Sequence, residues 1–77
     1  MQFPKLEKIT LNPMIMGGKP CIRGMRITVG TIVGLVASGA SFEEILQLYP
    51  SLESEDIRAA VGYAARRSDE RETLQTA

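Results

Sequence analysis

Residues 17–29 have the sequence GGKPCIRGMRITV and join a turn rich in glycine and proline to an apolar run. Pro20 fixes its own φ and directs Lys19 towards an extended conformation, while the glycines permit positive φ or close backbone approach. The stretch is therefore a shaped turn rather than a flexible linker. It presents three basic side chains from restrained backbone, namely Lys19, Arg23 and Arg26.

Two short β-prone segments precede this turn, Ile9–Leu11 and Met14–Met16, and an Asn-Pro pair separates them. They predict a small hairpin or a pair of arms, so we assign residues 1–27 to an N-terminal β arm that includes the basic turn. Residues 27–29 can add a third strand, although Thr28 is equally suited to cap a helix.

A three-helix unit is predicted over residues 28–67. The first helix begins after Thr28 and ends near Ser38, where a glycine provides a C-terminal stop. Residues 41–44, Ser-Phe-Glu-Glu, form a capping box for the second helix, and Pro50 ends it.

The third helix is predicted over about residues 54–67, with carboxylates at its N-terminus as the helix dipole favours. Its predicted buried face holds Ile57, Ala60, Val61 and Ala64. Its predicted outward face holds Glu55, Arg58, Ala59, Gly62 and Arg66. Residues 68–77 contain little apolar surface and predict a flexible polar tail.

The composition excludes several classes of site. The 77-residue chain has no histidine and a single cysteine, Cys21, so neither an internal disulfide nor a cysteine/histidine zinc site is available. Its carboxylates lie at helix-capping or tail positions, so we expect no enzymatic activity and no cofactor. The longest apolar run is too short to span a bilayer, and the N-terminus lacks a secretory signal, so we expect a cytoplasmic protein without membrane contact.

The charge distribution and the helix spacing together suggest a nucleic-acid contact. Formal net charge is zero, yet residues 1–26 hold five cations and one carboxylate. The second and third helices are joined by about four residues, a connection typical of a helix-turn-helix. The candidate DNA-binding residues are Lys19, Arg23, Arg26, Arg58 and Arg66. For the arm cations, solvated charges or a structural arginine bonding nearby carbonyls are the alternatives.

The arm also suggests self-association. A β-prone edge rich in Ile and Met is difficult for a chain of this size to cover, so we expect a symmetric homodimer using residues 8–27. Three methionines, Met14, Met16 and Met25, are expected either to pack under the arm or to form a dimer contact.

The ordered motifs resemble the bacterial domain of unknown function 433. The resemblance covers most of residues 8–66, and Met25 departs from it because the family usually has Thr at that position. The matching segments are residues 12–29, Ile45-Leu46, Tyr49-Pro50, residues 55–60 and Tyr63-Ala64.

This resemblance implies a mainly α, homeodomain-like three-helix domain with a short N-terminal β arm, and a VapB-type antitoxin. Such an antitoxin would bind and neutralise a PIN-like nuclease toxin and would bind promoter DNA as a dimer. Arginines suit the carboxylate cluster of a nuclease site, so the candidate toxin-binding residues are Arg66, Arg67 and Arg71. A stand-alone helix-turn-helix transcriptional regulator or a homodimeric adaptor is the alternative function.

Overall fold

The protein is mainly helical, with three helices and a small two-stranded antiparallel sheet. The computed structural model describes residues 8–75, together with the side chains of residues 8–68. The elements, in chain order, are β1 (Ile9–Thr10), a 3-10 turn (Met16–Gly18), β2 (Cys21–Ile22), α1 (Val29–Ala37), α2 (Phe42–Leu48) and α3 (Ser54–Gln75).

The arm folds with a different strand pairing from the one predicted. β1 pairs with β2, and Ile9 lies opposite Ile22. The predicted hairpin between residues 9–11 and 14–16 is therefore wrong. Asn12 explains the difference: its side chain accepts the Met14 N–H at 2.9 Å and its carbonyl accepts the Ile15 N–H at 2.9 Å. These local bonds close a turn where the second strand was expected.

A remnant of the predicted third strand is present beside β2. Cys21 forms an isolated antiparallel bridge with Thr28, and the Ile22 N–H donates to the Ile27 carbonyl at 3.0 Å. Thr28 also caps α1, since its hydroxyl oxygen accepts the Thr31 N–H at 3.1 Å. Thr28 therefore both pairs with β2 and caps α1, the two structural roles that the sequence left open for it.

The capping box of α2 is confirmed. The Ser41 hydroxyl oxygen accepts the Glu44 N–H at 3.1 Å, and the Glu44 carboxylate accepts the Ser41 N–H at 2.7 Å. The two bonds satisfy donors that a helix N-terminus otherwise leaves open. α2 ends at Leu48, shortly before Pro50, as predicted.

The core lies where α3 contacts α1, α2 and β1. Aliphatic residues from every part of the fold meet there, and the strand β2 contributes one of them from the arm. The buried cluster comprises Ile22, Val29, Ile32, Ile45, Leu52, Ile57 and Ala60.

The predicted faces of α3 need correction. Ala59 is fully buried and Gly62 is also buried, whereas Val61 is 38% exposed. The arm contacts α3, as the other helices do, and Asp56, one turn before Ala59, binds an arm side chain. The face that was predicted to point outward is therefore buried at Ala59 and Gly62.

α3 is also longer than predicted. It continues to Gln75 rather than ending near residue 67. The additional segment contains mainly strong helix formers such as Arg, Glu, Leu and Gln, which favour continuation of the helix. At about 1.5 Å per residue, a helix of 22 residues is about 33 Å long.

Candidate nucleic-acid and partner interface

Arg23 fastens the arm to the start of α3. Its Nε donates to Asp56 Oδ1 at 3.0 Å and its Nη2 donates to Asp56 Oδ2 at 2.9 Å. The same Nη2 donates to the Ser51 carbonyl at 3.1 Å, in the connection between α2 and α3. This planar, bidentate geometry is the one that an arginine and a carboxylate form most favourably.

The backbone at Arg23 is shaped to allow this pairing. The Met25 N–H donates to the Ile22 carbonyl at 2.7 Å, and the two central residues of that turn, Arg23 and Gly24, have φ of 47° and 74°. Thr10 secures the turn by accepting the Gly24 N–H at 2.8 Å. Arginine is an uncommon residue at positive φ, so its side-chain bonds, not its backbone preference, account for its presence there.

Asp56 is the buried partner of this pair. Its side chain has no exposed surface, and it accepts the Glu53 N–H at 2.8 Å at the start of α3. Lys8 supplies a second cation, with its Nζ 3.5 Å from Asp56 Oδ1 and 3.9 Å from Glu53 Oε1. We call Lys8, Arg23 and Asp56 the clasp.

The bonds of the clasp keep Asp56 ionised. Burial alone would raise the pKa of Asp56, but the hydrogen bonds from Arg23 and from the Glu53 backbone, with the charges of Arg23 and Lys8, lower that pKa below 3.8. Reciprocally, the hydrogen bond to Asp56 and the negative charge of Asp56 raise the pKa of Arg23. Arg23 is thus a structural arginine, the alternative that the sequence analysis left open for the arm cations.

Lys19 and Arg26 are the arm cations outside the clasp, and both are exposed. Lys19 lines an open depression of about 500 Å³ between the basic turn and the first turn of α1. The other residues of this depression are Pro20, Thr28, Val29, Gly30 and Thr31. The Thr28 and Thr31 hydroxyls are 2.9 Å apart and bond to each other there.

The remaining candidate arginines belong to α3. Arg58 is exposed, and its guanidinium lies over the Phe42 ring of α2, 5.6 Å from the ring centroid. Arg66 and Arg67 are exposed further along the helix. Arg71 lies within the helical span, and its side chain falls outside the described residues. The candidates therefore separate into an arm group and an α3 group.

Acidic side chains border the α3 group at its N-terminal end. Glu53 and Glu55 are exposed there, and Glu43 and Glu44 are exposed on the first turn of α2. Asp56 and Glu44 both accept a backbone N–H at a helix start, as predicted for capping carboxylates. An anionic ligand on α3 would therefore meet favourable charge only from Arg58 onward.

Three further observations bear on the class of site. Within residues 8–68, no group of three or more His, Cys, Asp or Glu side chains is placed to hold a metal ion. Across the described helices, none combines the length and apolarity needed to cross a membrane. Cys21 is buried, and its Sγ donates to the Lys19 carbonyl at 3.3 Å.

Sequence reasoning missed the clasp as an assembly. Sequence patterns place Asp56 among the carboxylates at the N-terminus of α3 and Arg23 among the cations of the basic turn, but they do not connect two residues with a sequence separation of 33. One sequence feature could have pointed to this pair. Arg23 precedes Gly24 at a turn position where a residue such as Asn would be expected, so the arginine needs a reason to be there.

Known proteins resemble this chain in sequence and in fold. The family model described as "Protein of unknown function (DUF433)" matches residues 9–64. The uncharacterized protein y4eO of Sinorhizobium fredii (strain NBRC 101917 / NGR234) is 45% identical over 58 residues, which are 75% of this chain and 26% of that protein. The chain thus spans about a quarter of the length of this curated relative.

A solved structure matches most of the fold. The crystal structure of a DUF433 member protein from Anabaena variabilis ATCC 29413 has a TM-score of 0.74 and 37% sequence identity. The match covers 88% of this chain and 69% of that chain. With the family model spanning residues 9–64, these similarities confirm the resemblance noted from the sequence: the chain belongs to the DUF433 family.

Proposed function

We propose that the protein is a VapB-type antitoxin that neutralises a PIN-like nuclease toxin and binds promoter DNA. The observation that carries the DNA-binding part is the pairing of α2 with α3 across residues 49–53, with Arg58 exposed on α3. In this proposal α1, α2 and α3 form a homeodomain-like helix-turn-helix, and α3 is the helix that enters the DNA groove.

The charges of α3 define the DNA contact in this proposal. Arg58 and Arg66 meet phosphates or base edges, and Glu53 and Glu55 remain outside the groove. The exposed arm cations Lys19 and Arg26 add phosphate contacts. Arg23 is left out of the contact set because its charge is paired with the buried Asp56.

The toxin contact is assigned to the C-terminal part of α3. Beyond Tyr63 and Ala64, the residues through Ser68 are exposed, while the helix continues to Gln75. The exposed helical residues 65–68 offer a surface to a partner. Arg66, Arg67 and Arg71 supply guanidinium groups that can bind the carboxylates of a nuclease site.

The test of the toxin contact is co-expression with the product of the neighbouring reading frame, where that frame encodes a small nuclease with a carboxylate cluster. We expect the two proteins to co-purify and the nuclease to lose activity towards RNA. A nuclease that stays active and unbound would contradict the antitoxin proposal and favour the stand-alone regulator or the homodimeric adaptor.

The test of the DNA contact is a salt titration with a duplex from upstream of the protein's own gene. Roughly four neutralised phosphates give a slope of log K against log salt near −3.6. A slope close to zero would exclude the cationic surface as the contact.

A further inference from the structure

The arm exposes an apolar surface that the core does not use. Leu11 is 65% exposed, Met14 85% and Met16 39%. Packing under the arm, one of the two expectations for these methionines, is therefore wrong for Met14, whereas Met25 does pack against the core. Large apolar side chains grouped on one short segment mark an interaction surface more often than isolated ones do.

Within residues 8–75, one strand edge beside this surface has no neighbouring strand. β2 is paired on both sides, with β1 on one side and Ile27–Thr28 on the other. Among the described residues, β1 is paired on one side only. The Arg23 N–H donates to the Lys8 carbonyl. Hydrogen-bonded and non-hydrogen-bonded residue pairs alternate along an antiparallel ladder, so the N–H and C=O of Ile9 point away from β2, towards the outer edge of β1.

We propose that residues 9–16, here called the arm surface, bind the arm surface of a second copy of this chain. The two β1 strands pair antiparallel about a two-fold axis, and Leu11 and Met14 pack across that axis. This inference does not depend on the proposed antitoxin function.

The absence of charge favours a second copy over a charged partner as the occupant of the arm surface. Residues 9–18 carry no charged side chain, so two copies can face each other without like-charge repulsion. DNA phosphates or nuclease carboxylates would require cations instead. The cations on either side of the segment are Lys8, which is held by Asp56, and Lys19, which lines the depression at α1.

The geometry of an antiparallel strand edge also favours a second copy of this chain as the binding partner. Two identical strands related by a two-fold axis satisfy each other's outward N–H and C=O groups, so the edge is complementary to itself. Methionine side chains adapt to such a contact because they are unbranched and flexible.

Sedimentation velocity of the full chain tests this proposal, over concentrations from about one to a few hundred micromolar. We expect a dimer at tens of micromolar, and we expect Leu11→Glu and Met14→Glu each to raise the dimer dissociation constant at least about tenfold. Leu48→Glu is the matched control, because Leu48 is 62% exposed on α2 and outside the arm surface; it should dimerise like the wild type.

A monomer at every concentration would overturn the proposal. A dimer that Leu48→Glu weakens and that Leu11→Glu and Met14→Glu leave unchanged would overturn it as well. Circular dichroism checks that each variant is folded, and Met14→Glu, at the most exposed position, keeps the test valid if Leu11→Glu unfolds. Amide hydrogen exchange gives the second readout. Protection of Ile9 should increase with protein concentration, and concentration-independent exchange at Ile9 would contradict strand pairing.

Discussion

Arg23 and Arg58 are two arginines near the start of α3 with opposite surroundings. Arg23 donates to both oxygens of the buried Asp56 and to a backbone carbonyl, whereas Arg58 lies on the outer side of α3 over the Phe42 ring. The comparison shows that an arginine has a structural role where the carboxylate that it binds is buried. The clasp joins the arm to α3, and the proposed function assigns ligand contacts to the exposed arginines of α3.

Removing the carboxylate of the clasp should produce the largest effect on stability. Asp56→Ala deletes the partner of two cations and the acceptor of the Glu53 N–H, so we expect the free energy of unfolding to fall by about 3 kcal/mol. Urea denaturation measures it. Glu55→Ala, at the exposed neighbouring position, is the control and should change stability by less than about 0.5 kcal/mol. Equal effects of the two substitutions would mean that the clasp is not a stabilising unit.

Acid should weaken the clasp in a defined direction. The pKa of Asp56 is lower in the folded state than in the unfolded state, so the unfolded state binds more protons as pH falls. The stabilisation is complete above about pH 4 and is lost as pH falls through the lower, folded pKa. Unfolding measured from neutral to acidic pH should show this decline in the wild type and a shallower one in Asp56→Asn. Parallel curves would assign acid sensitivity to other carboxylates.

Shortening α3 tests the toxin contact that the proposed function assigns to the arginines of this helix. In the proposed antitoxin, truncation after Ser68 removes Arg71 and should weaken toxin inhibition at least about tenfold. Stability should change little, because the deleted residues 69–77 contain only two apolar residues, Leu74 and Ala77. Arg71→Ala alone should have a smaller effect in the same direction. Unchanged inhibition by both variants would move the toxin contact to the arm or to the three-helix body.

Neutralising one outward cation should produce the smallest effect. In the proposed DNA complex Arg58→Gln removes one phosphate contact, so the salt slope for DNA should become shallower by about 0.9 and unfolding should be nearly unchanged. Glu43→Gln on α2 is a suitable control for a change of charge outside the contact. An unchanged slope in Arg58→Gln would remove Arg58 from the interface.

The helices could be predicted because their signals are local. The N-cap at Thr28, the capping box at Ser41 and the helix start before Asp56 each depend on residues within one turn, and all three are present. The strand pairing could not be predicted in the same way. The Asn12 turn removed the expected partner of β1, and β2, which replaced it, is only two residues long.

The candidate site was predictable only in part. The sequence identified the cations but not which of them had a buried partner, because the Arg23–Asp56 pair joins the arm to the first turn of α3 over a sequence separation of 33 residues. The outward face of α3 was also misassigned at Ala59, which is buried. Contacts made by an irregular arm have no sequence period, so they cannot be predicted from helical spacing alone.

A double-mutant cycle at the clasp tests the division between structural and ligand-binding arginines most directly. Arg23→Gln, Asp56→Asn and the double variant are compared with the wild type and with Arg58→Gln by urea denaturation. Because Arg23 and Asp56 act on each other, we predict that each single change lowers the denaturation midpoint and that the double variant falls short of the sum of the two. Arg58→Gln should leave the midpoint unchanged. Additive effects at Arg23 and Asp56, or an equal loss of stability in Arg58→Gln, would contradict the account.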